Sequence, residues 1–141
     1  MVLLSSTLRG RVLRFHSAAV APNALSIVSL RGTERLSRPY SFELELVSAI
    51  PDLDPVVLTR QPASFGIKRA VSIDGDRRGI QTDKTHGILS TFEQHESRGG
   101  WILYRATVVP RIWRLSLGVH SRIFLDQTVP EIVREVLIEN G

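Results

Sequence analysis

Hydrophobic and polar positions alternate without a break from Tyr40 to Leu46. Tyr40, Phe42, Leu44 and Leu46 fall on one face, with Ser41, Glu43 and Glu45 on the other. A period of two over seven residues is a strand with one buried and one wet face, the pattern of antiparallel sheets. The spacing predicts further strands over Arg11–Ser17, Leu25–Arg31, Ala63–Ile73, Gly87–Glu96 and Trp101–Val109. Turn chemistry separates them: Ala21-Pro22-Asn23, Ser37-Arg38-Pro39, Pro51-Asp52, Asp74-Gly75-Asp76 and Arg98-Gly99-Gly100. Many short strands punctuated this way predict a small antiparallel β-barrel or sandwich. Asp52–Leu58 reads as a short helical turn, and the polar stretch Arg77–Thr85 as an exposed hairpin tip. Pro110 stops the strand before it, leaving Arg111–Leu115 as a tight turn or a continuing strand.

The period changes once, at the C-terminal end. Val129, Ile132, Val133, Val136 and Leu137 recur at helical spacing, with Glu131, Arg134, Glu135 and Glu139 on the opposite side. Thr128 and Glu131 fit a capping box, Pro130 sits in the first turn where its missing N–H costs nothing, and Asn140-Gly141 fits the C-cap. The apolar stripe of this helix needs a surface to lie on.

At 141 residues the chain has one domain's worth of length and needs no staple to hold a core. It contains no cysteine, which excludes a disulfide scaffold, a thiolate metal centre and a thiol nucleophile. No apolar run is long enough to span a bilayer, and Met1–Arg9 lacks the basic region of a secretory signal. The sequence therefore predicts synthesis in the cytosol, with any export by a route that needs no cleaved peptide.

The net charge is +4, from 18 basic and 14 acidic residues, and only Lys68 and Lys84 are lysines. Charge is segregated. Arg9, Arg11, Arg14, Arg31, Arg35 and Arg38 face only Glu34, and then Glu43, Glu45, Asp52 and Asp54 come before Arg60. Such a surface suits a partner of complementary pattern, although a mixed solvated surface is the plainer reading.

Candidate chemistry is sparse. His16, His86, His95 and His120 have no metal-ligand spacing, and no nucleophile elbow or phosphate-binding glycine loop occurs. Asp74-Gly75-Asp76 lacks the calcium-loop spacing and reads as a hairpin turn. Glu43 and Glu45 share a face as a glycosidase pair would, but exposed strand glutamates ordinarily keep that face soluble. Phe15, Phe92, Trp101, Tyr104 and Trp113 on a basic barrel leave one alternative, an OB-like platform for single-stranded nucleic acid. Against it, Trp101 and Tyr104 lie three apart in a strand and so on opposite faces. No catalytic, cofactor-binding or metal-binding residue is assigned, and no cofactor is expected.

Three segments resemble one family. Leu36-Ser37-Arg38-Pro39-Tyr40-Ser41-Phe42-Glu43-Leu44-Glu45-Leu46-Val47-Ser48 resembles the opening L-S-x-P-[FY]-x-[FY]-x-L-x-L-x-S of VgrG proteins, the spikes of bacterial type VI secretion systems. His86-Gly87-Ile88 resembles the His-Gly-hydrophobic that opens a later strand of that domain. The run from Tyr104 through Pro110, Trp113 and Leu115 to Ser121-Arg122-Ile123-Phe124 and Thr128–Val133 is similar to the family's Y-x5-P-x-x-W-x-L … S-R-I-F-Q-x-x-[TS]-V-x-x-I signature, with Leu125 where glutamine is common.

The resemblance implies a phage tail hub-like fold, mainly β, with residues 1–127 as a first hub barrel with an N-terminal arm. Residues 128–141 would be a helix leading to a downstream domain outside this chain, making the chain a truncated part of a longer protein. It also implies a non-enzymatic structural role, adapting a threefold spike to a hexameric tube. Expected partners are two further copies in a full-length trimer, the Hcp tube and baseplate proteins, with a PAAR tip or effector engaged only through absent regions. No nucleic acid is expected, and membranes are met only by puncture. Assembly would occur in the bacterial cytoplasm and export would run through the type VI apparatus. A prophage tail hub is a close variant of this reading.

Overall fold

The computed structural model describes residues 12–74, 77–119 and 121–140. They form two compact units, Met1–Pro110 and Arg111–Gly141.

The first unit is a six-stranded sheet of β1 (Val12–Ser17), β2 (Ser26–Arg35), β3 (Arg38–Ser48), β4 (Pro62–Asp74), β5 (Arg77–Arg98) and β6 (Trp101–Val109). Every pairing is antiparallel and the order is β1-β4-β5-β6-β3-β2. The sheet curls into a half-barrel, so that its edge strands β1 and β2 approach each other without joining in the ladder. The predicted fold, mainly β with a C-terminal helix, is the one observed.

The alternation in β3 explains the core. Phe42, Leu44 and Leu46 are buried on the concave side, while Glu43 is exposed and Glu45 half-buried. In β6, Ile102, Tyr104, Ala106 and Val108 point the same way and Trp101 stays exposed. Phe15, Leu30, Phe65, Leu89 and Phe92 complete the cluster. Phe92 stacks on Tyr104 with ring centroids 5.0 Å apart, and the Tyr104 hydroxyl donates to the Ile50 carbonyl at 3.1 Å. A buried phenol needs such a partner, and this one ties the loop after β3 to the middle of the sheet.

Turn residues act where the sequence placed them. Gly99 and Gly100 both have positive φ, 59° and 80°, as a two-residue hairpin between paired Arg98 and Trp101 requires. Asn23 and Ser37 also take positive φ in their turns. Helix α1 (Pro55–Arg60) realises the helical turn predicted over Asp52–Leu58, starting three residues later and ending two later. Asp54 caps it, accepting from the Val56 and Val57 amides at 2.8 and 3.4 Å, and Leu58 is buried.

Two readings are revised. Arg77–Thr85, read as an exposed hairpin tip, is the first half of β5, in unbroken register with β4 from Ser72↔Arg78 to Pro62↔Ile88. Gly75 and Asp76 of the predicted turn lie outside the described residues. Arg111–Leu117 is neither strand nor tight turn but a 3-10 helix, starting directly after the proline that ends β6.

The second unit consists of that 3-10 helix, a loop and helix α2 (Val129–Glu139). Pro130 is in its first turn, and Thr128 and Glu131 form the expected capping box. One Glu131 carboxylate oxygen, Oε2, accepts from both the Thr128 amide and the Thr128 hydroxyl, each at 2.7 Å. Those two bonds hold the Glu131 carboxyl below the usual carboxylate range, the hydroxyl contributing most. Asn140 is the C-cap; Gly141 lies outside the described residues.

Candidate functional site

The outer face of the sheet carries a polar lattice. Its register sets Ser29, Glu45, Arg105 and Glu93 in one row across β2, β3, β6 and β5, and Arg31, Glu43, Thr107 and Thr91 in the next. Neighbours in these rows bond to one another. Ser29 donates to Glu45 at 2.6 Å and Thr91 to Thr107 at 2.9 Å, while Arg105 and Arg31 lie 3.9 and 4.0 Å from Glu45 and Glu43. The two glutamates that share a face as a glycosidase pair would are thus each set against an arginine. Exposed pairs of this kind contribute little stability, so their effect is to keep a wide sheet surface soluble with both charges in balance.

The other candidate residues scatter. His16, His86 and His95 are all exposed, and His120 lies outside the described residues. Among the described residues no three His, Asp or Glu side chains gather in a way that suits a metal ion. Of the five aromatics considered for base stacking, Phe15, Phe92 and Tyr104 are buried in the core. Trp101 is exposed at the β5–β6 turn, and Trp113 is half-buried in the second unit. The buried rings offer no face to a base.

Tyr40 and His86 hold a contact that residue patterns did not reveal. The Tyr40 hydroxyl donates to the His86 carbonyl, joining β3 to β5 past the end of β6, the strand between them. Burial raises the affinity of this phenol for its proton, and Glu34 adds to the effect. Immediately beyond, Gly87 packs against the Val109 main chain, which leaves no room for a Cβ. The His-Gly-hydrophobic segment therefore marks a place where β5 and the end of β6 come into close contact.

The second unit has a different surface. A cavity of about 290 Å³ opens between the 3-10 helix, the loop and α2, with Arg114, Leu115, Phe124, Val136 and Asn140 in its lining. Arg122 pairs with Glu139 at its margin. Around it apolar side chains stand in the open: Val119 is 98% exposed, Ile123 87% and Val129 73%, and Val133 and Leu137 of the α2 stripe are also exposed. No described residue of this unit is buried. Among the described residues, no helix is long and apolar enough to cross a membrane.

Comparison with known proteins shows the family. The profile of the phage tail baseplate hub (GPD) family matches residues 33–141. This chain belongs to that family. The hub chain is 34% identical over 131 residues to the type VI secretion system spike protein VgrG1b of Pseudomonas aeruginosa, covering 93% of the chain and 16% of that protein. It is 38% identical over 115 residues to VgrG5 of the same organism, covering 82% of the chain and 13% of that protein. The actin cross-linking toxin VgrG1 of Vibrio cholerae is 31% identical over 102 residues, 72% of the hub chain but 9% of the toxin. Among solved structures, a component of the Escherichia coli type VI secretion system, described as structurally similar to the bacteriophage T4 tail proteins gp27 and gp5, superposes with a TM-score of 0.69. It shares 22% identity and covers 89% of the hub chain and 32% of that chain. The hub chain thus spans about a sixth of the spike protein VgrG1b.

Proposed function

We propose that the hub chain is a non-enzymatic structural module of a type VI secretion spike, its first hub barrel, which fits a threefold spike to a hexameric tube during contractile injection. The observation that carries this is the hub-family match over residues 33–141, supported by the spike relatives and by an outer sheet face whose glutamates are set against arginines. Residues 1–127 act as the barrel and its arm, and 128–141 as the helix leading onward. In the full-length protein three copies associate. They meet the tube and baseplate, while a PAAR tip or effector engages other regions. The protein assembles in the cytoplasm and leaves through the apparatus.

The test is replacement of this segment by an unrelated β-barrel in the chromosomal spike gene, with release of the tube protein as the readout. Abolished release with the spike still produced is expected. Undiminished release overturns the adaptor role. Purified chain titrated with oligo-dT separates the nucleic-acid alternative, because phosphate contacts would make binding fall steeply with salt, and no such binding is expected.

A further inference from the structure

Three neighbouring strands put basic side chains on a common face. The ladder sets Arg14, Gly66 and Lys84 in one row across β1, β4 and β5, and His16, Ser64 and His86 in the next. Lys68 lies opposite Thr82, in the row on the other side of Gly66. Phe15, Ala63 and Phe65, which alternate with these residues, are buried in the core, so the rows face outward. Arg14, His16, Lys84 and His86 are exposed and Lys68 is half-buried. Both lysines of the chain are thus in one patch. No acidic residue stands in these rows, and Asp83, between Thr82 and Lys84, belongs to the opposite face with Ile67. Among the described residues, Arg14, Lys68 and Lys84 hold no ion pair. Elsewhere on the outer face, by contrast, Arg31 and Arg105 each stand against a glutamate. Like charges on neighbouring strands repel, and an anion laid between them relieves that repulsion.

We propose that this patch is a docking site for an acidic protein segment in extended conformation. Arg14 and His16 on β1, and Lys84 and His86 on β5, recur at every second residue, about 7 Å apart, and the two strands lie about 10 Å apart with β4 between them. Between the two ranks β4 contributes only Ser64 and Gly66, so a chain laid along it has basic groups on either side. An extended chain has the same two-residue repeat and sends successive side chains to opposite sides, so its carboxylates meet both ranks in step. Arg14 can hold a carboxylate through two parallel N–H bonds, and Lys68 and Lys84 act as point charges. Other polyanions fit less well. The rows contain no Trp, Tyr or Phe on which a base could stack. Nor is any described side chain in them apolar, as insertion into a lipid interface requires. The inference goes beyond the hub reading and does not depend on it, because it concerns binding by the purified chain.

The probe is fluorescein-labelled octaglutamate, titrated with the purified chain and followed by anisotropy. Saturable binding that weakens as salt rises is expected, and its absence overturns the proposal. Arg14→Gln with Lys84→Gln should lower the affinity about tenfold or more. Arg98→Gln with Arg134→Gln removes the same charge elsewhere and should change it by less than about twofold. Equal losses in the two pairs would show attraction to net charge alone and overturn the inference. Gly66→Thr tests the geometry without touching charge. A Cβ at position 66 meets nothing closer than Thr82 Cγ2 at 3.5 Å, an ordinary contact, so the strand accepts it. The variant should keep its circular dichroism spectrum and bind octaglutamate as weakly as the Arg14/Lys84 pair, because its side chain fills the space between the two ranks. A folded Gly66→Thr that binds undiminished overturns the inference. Oligo-dT, or vesicles of phosphatidylglycerol in phosphatidylcholine, bound more tightly than octaglutamate and released by the Arg14/Lys84 pair, would give the patch to nucleic acid or to a membrane and overturn it too. Self-association of the chain that the same pair abolishes would put a second copy in the site, with the same consequence.

Discussion

Gly87 lies directly beneath the main-chain carbonyl of Val109, and a Cβ built at position 87 would overlap that oxygen and crowd Val108 Cγ1 at 3.1 Å. The obstacle is backbone rather than a flexible side chain. It is also fixed, because the next residue, Ile88, pairs with Val109 in the β5–β6 ladder. Gly87→Ala should therefore destabilise the first unit by about 1–3 kcal/mol, the usual range for overpacking. Equilibrium urea unfolding of the two proteins measures it, and an unchanged midpoint would show that the strands separate freely there.

Tyr104 joins two effects that substitution can separate. Its ring stacks on Phe92 in the core and its hydroxyl holds the Ile50 carbonyl. Tyr104→Phe keeps the ring and should cost about 0.5–1.5 kcal/mol, the net value of one hydrogen bond. Tyr104→Ala removes the ring too and should cost about 3–5 kcal/mol, as truncating a buried aromatic does. Denaturant curves for both variants check the ordering, and equal losses would mean that the hydroxyl rather than the ring dominates.

The capping box gives α2 a dependence on pH. Glu131 binds its proton less readily in the folded helix than in the unfolded chain, because its carboxylate accepts from the Thr128 hydroxyl and amide. A carboxyl lowered on folding stabilises the helix fully above its unfolded pKa. That contribution is lost as pH falls through the folded value. Acidification through the carboxylate range should thus fray the first turn of α2, seen as a lower protection factor (exchange relative to the intrinsic rate at each pH) for the amide of Ile132, which donates to the Thr128 carbonyl. Glu131→Gln should flatten that response, and an undiminished response in the variant would place the titration elsewhere.

The same residues show what a sequence can reveal. Strand β3 was legible because one face is buried, which forces the alternation Tyr40, Phe42, Leu44, Leu46. The first half of β5 was not, because Ile80 to Lys84 are exposed on both faces and no burial imposes a period; only pairing with β4 makes them a strand. The 3-10 helix over Arg111–Leu117 has no buried residue and so left no pattern to read. The family was legible through the Leu36–Ser48 and Tyr104–Val133 blocks.

The α2 stripe offers the last test. Val133 is 50% exposed and Leu137 43%, although both belong to the apolar side that the helical period predicts to be covered. Where an apolar side chain is already half in water, exchange for a polar one of similar size loses little burial, and substitutions at such sites usually change stability by less than about 0.5 kcal/mol. Val133→Thr combined with Leu137→Gln should therefore leave the unfolding midpoint of the chain nearly unchanged. The same pair should reduce binding of the dye 8-anilinonaphthalene-1-sulfonate, which reports accessible apolar surface. A large loss of stability in the isolated chain would show that Val133 and Leu137 already pack within it, and that α2 is not waiting for a partner.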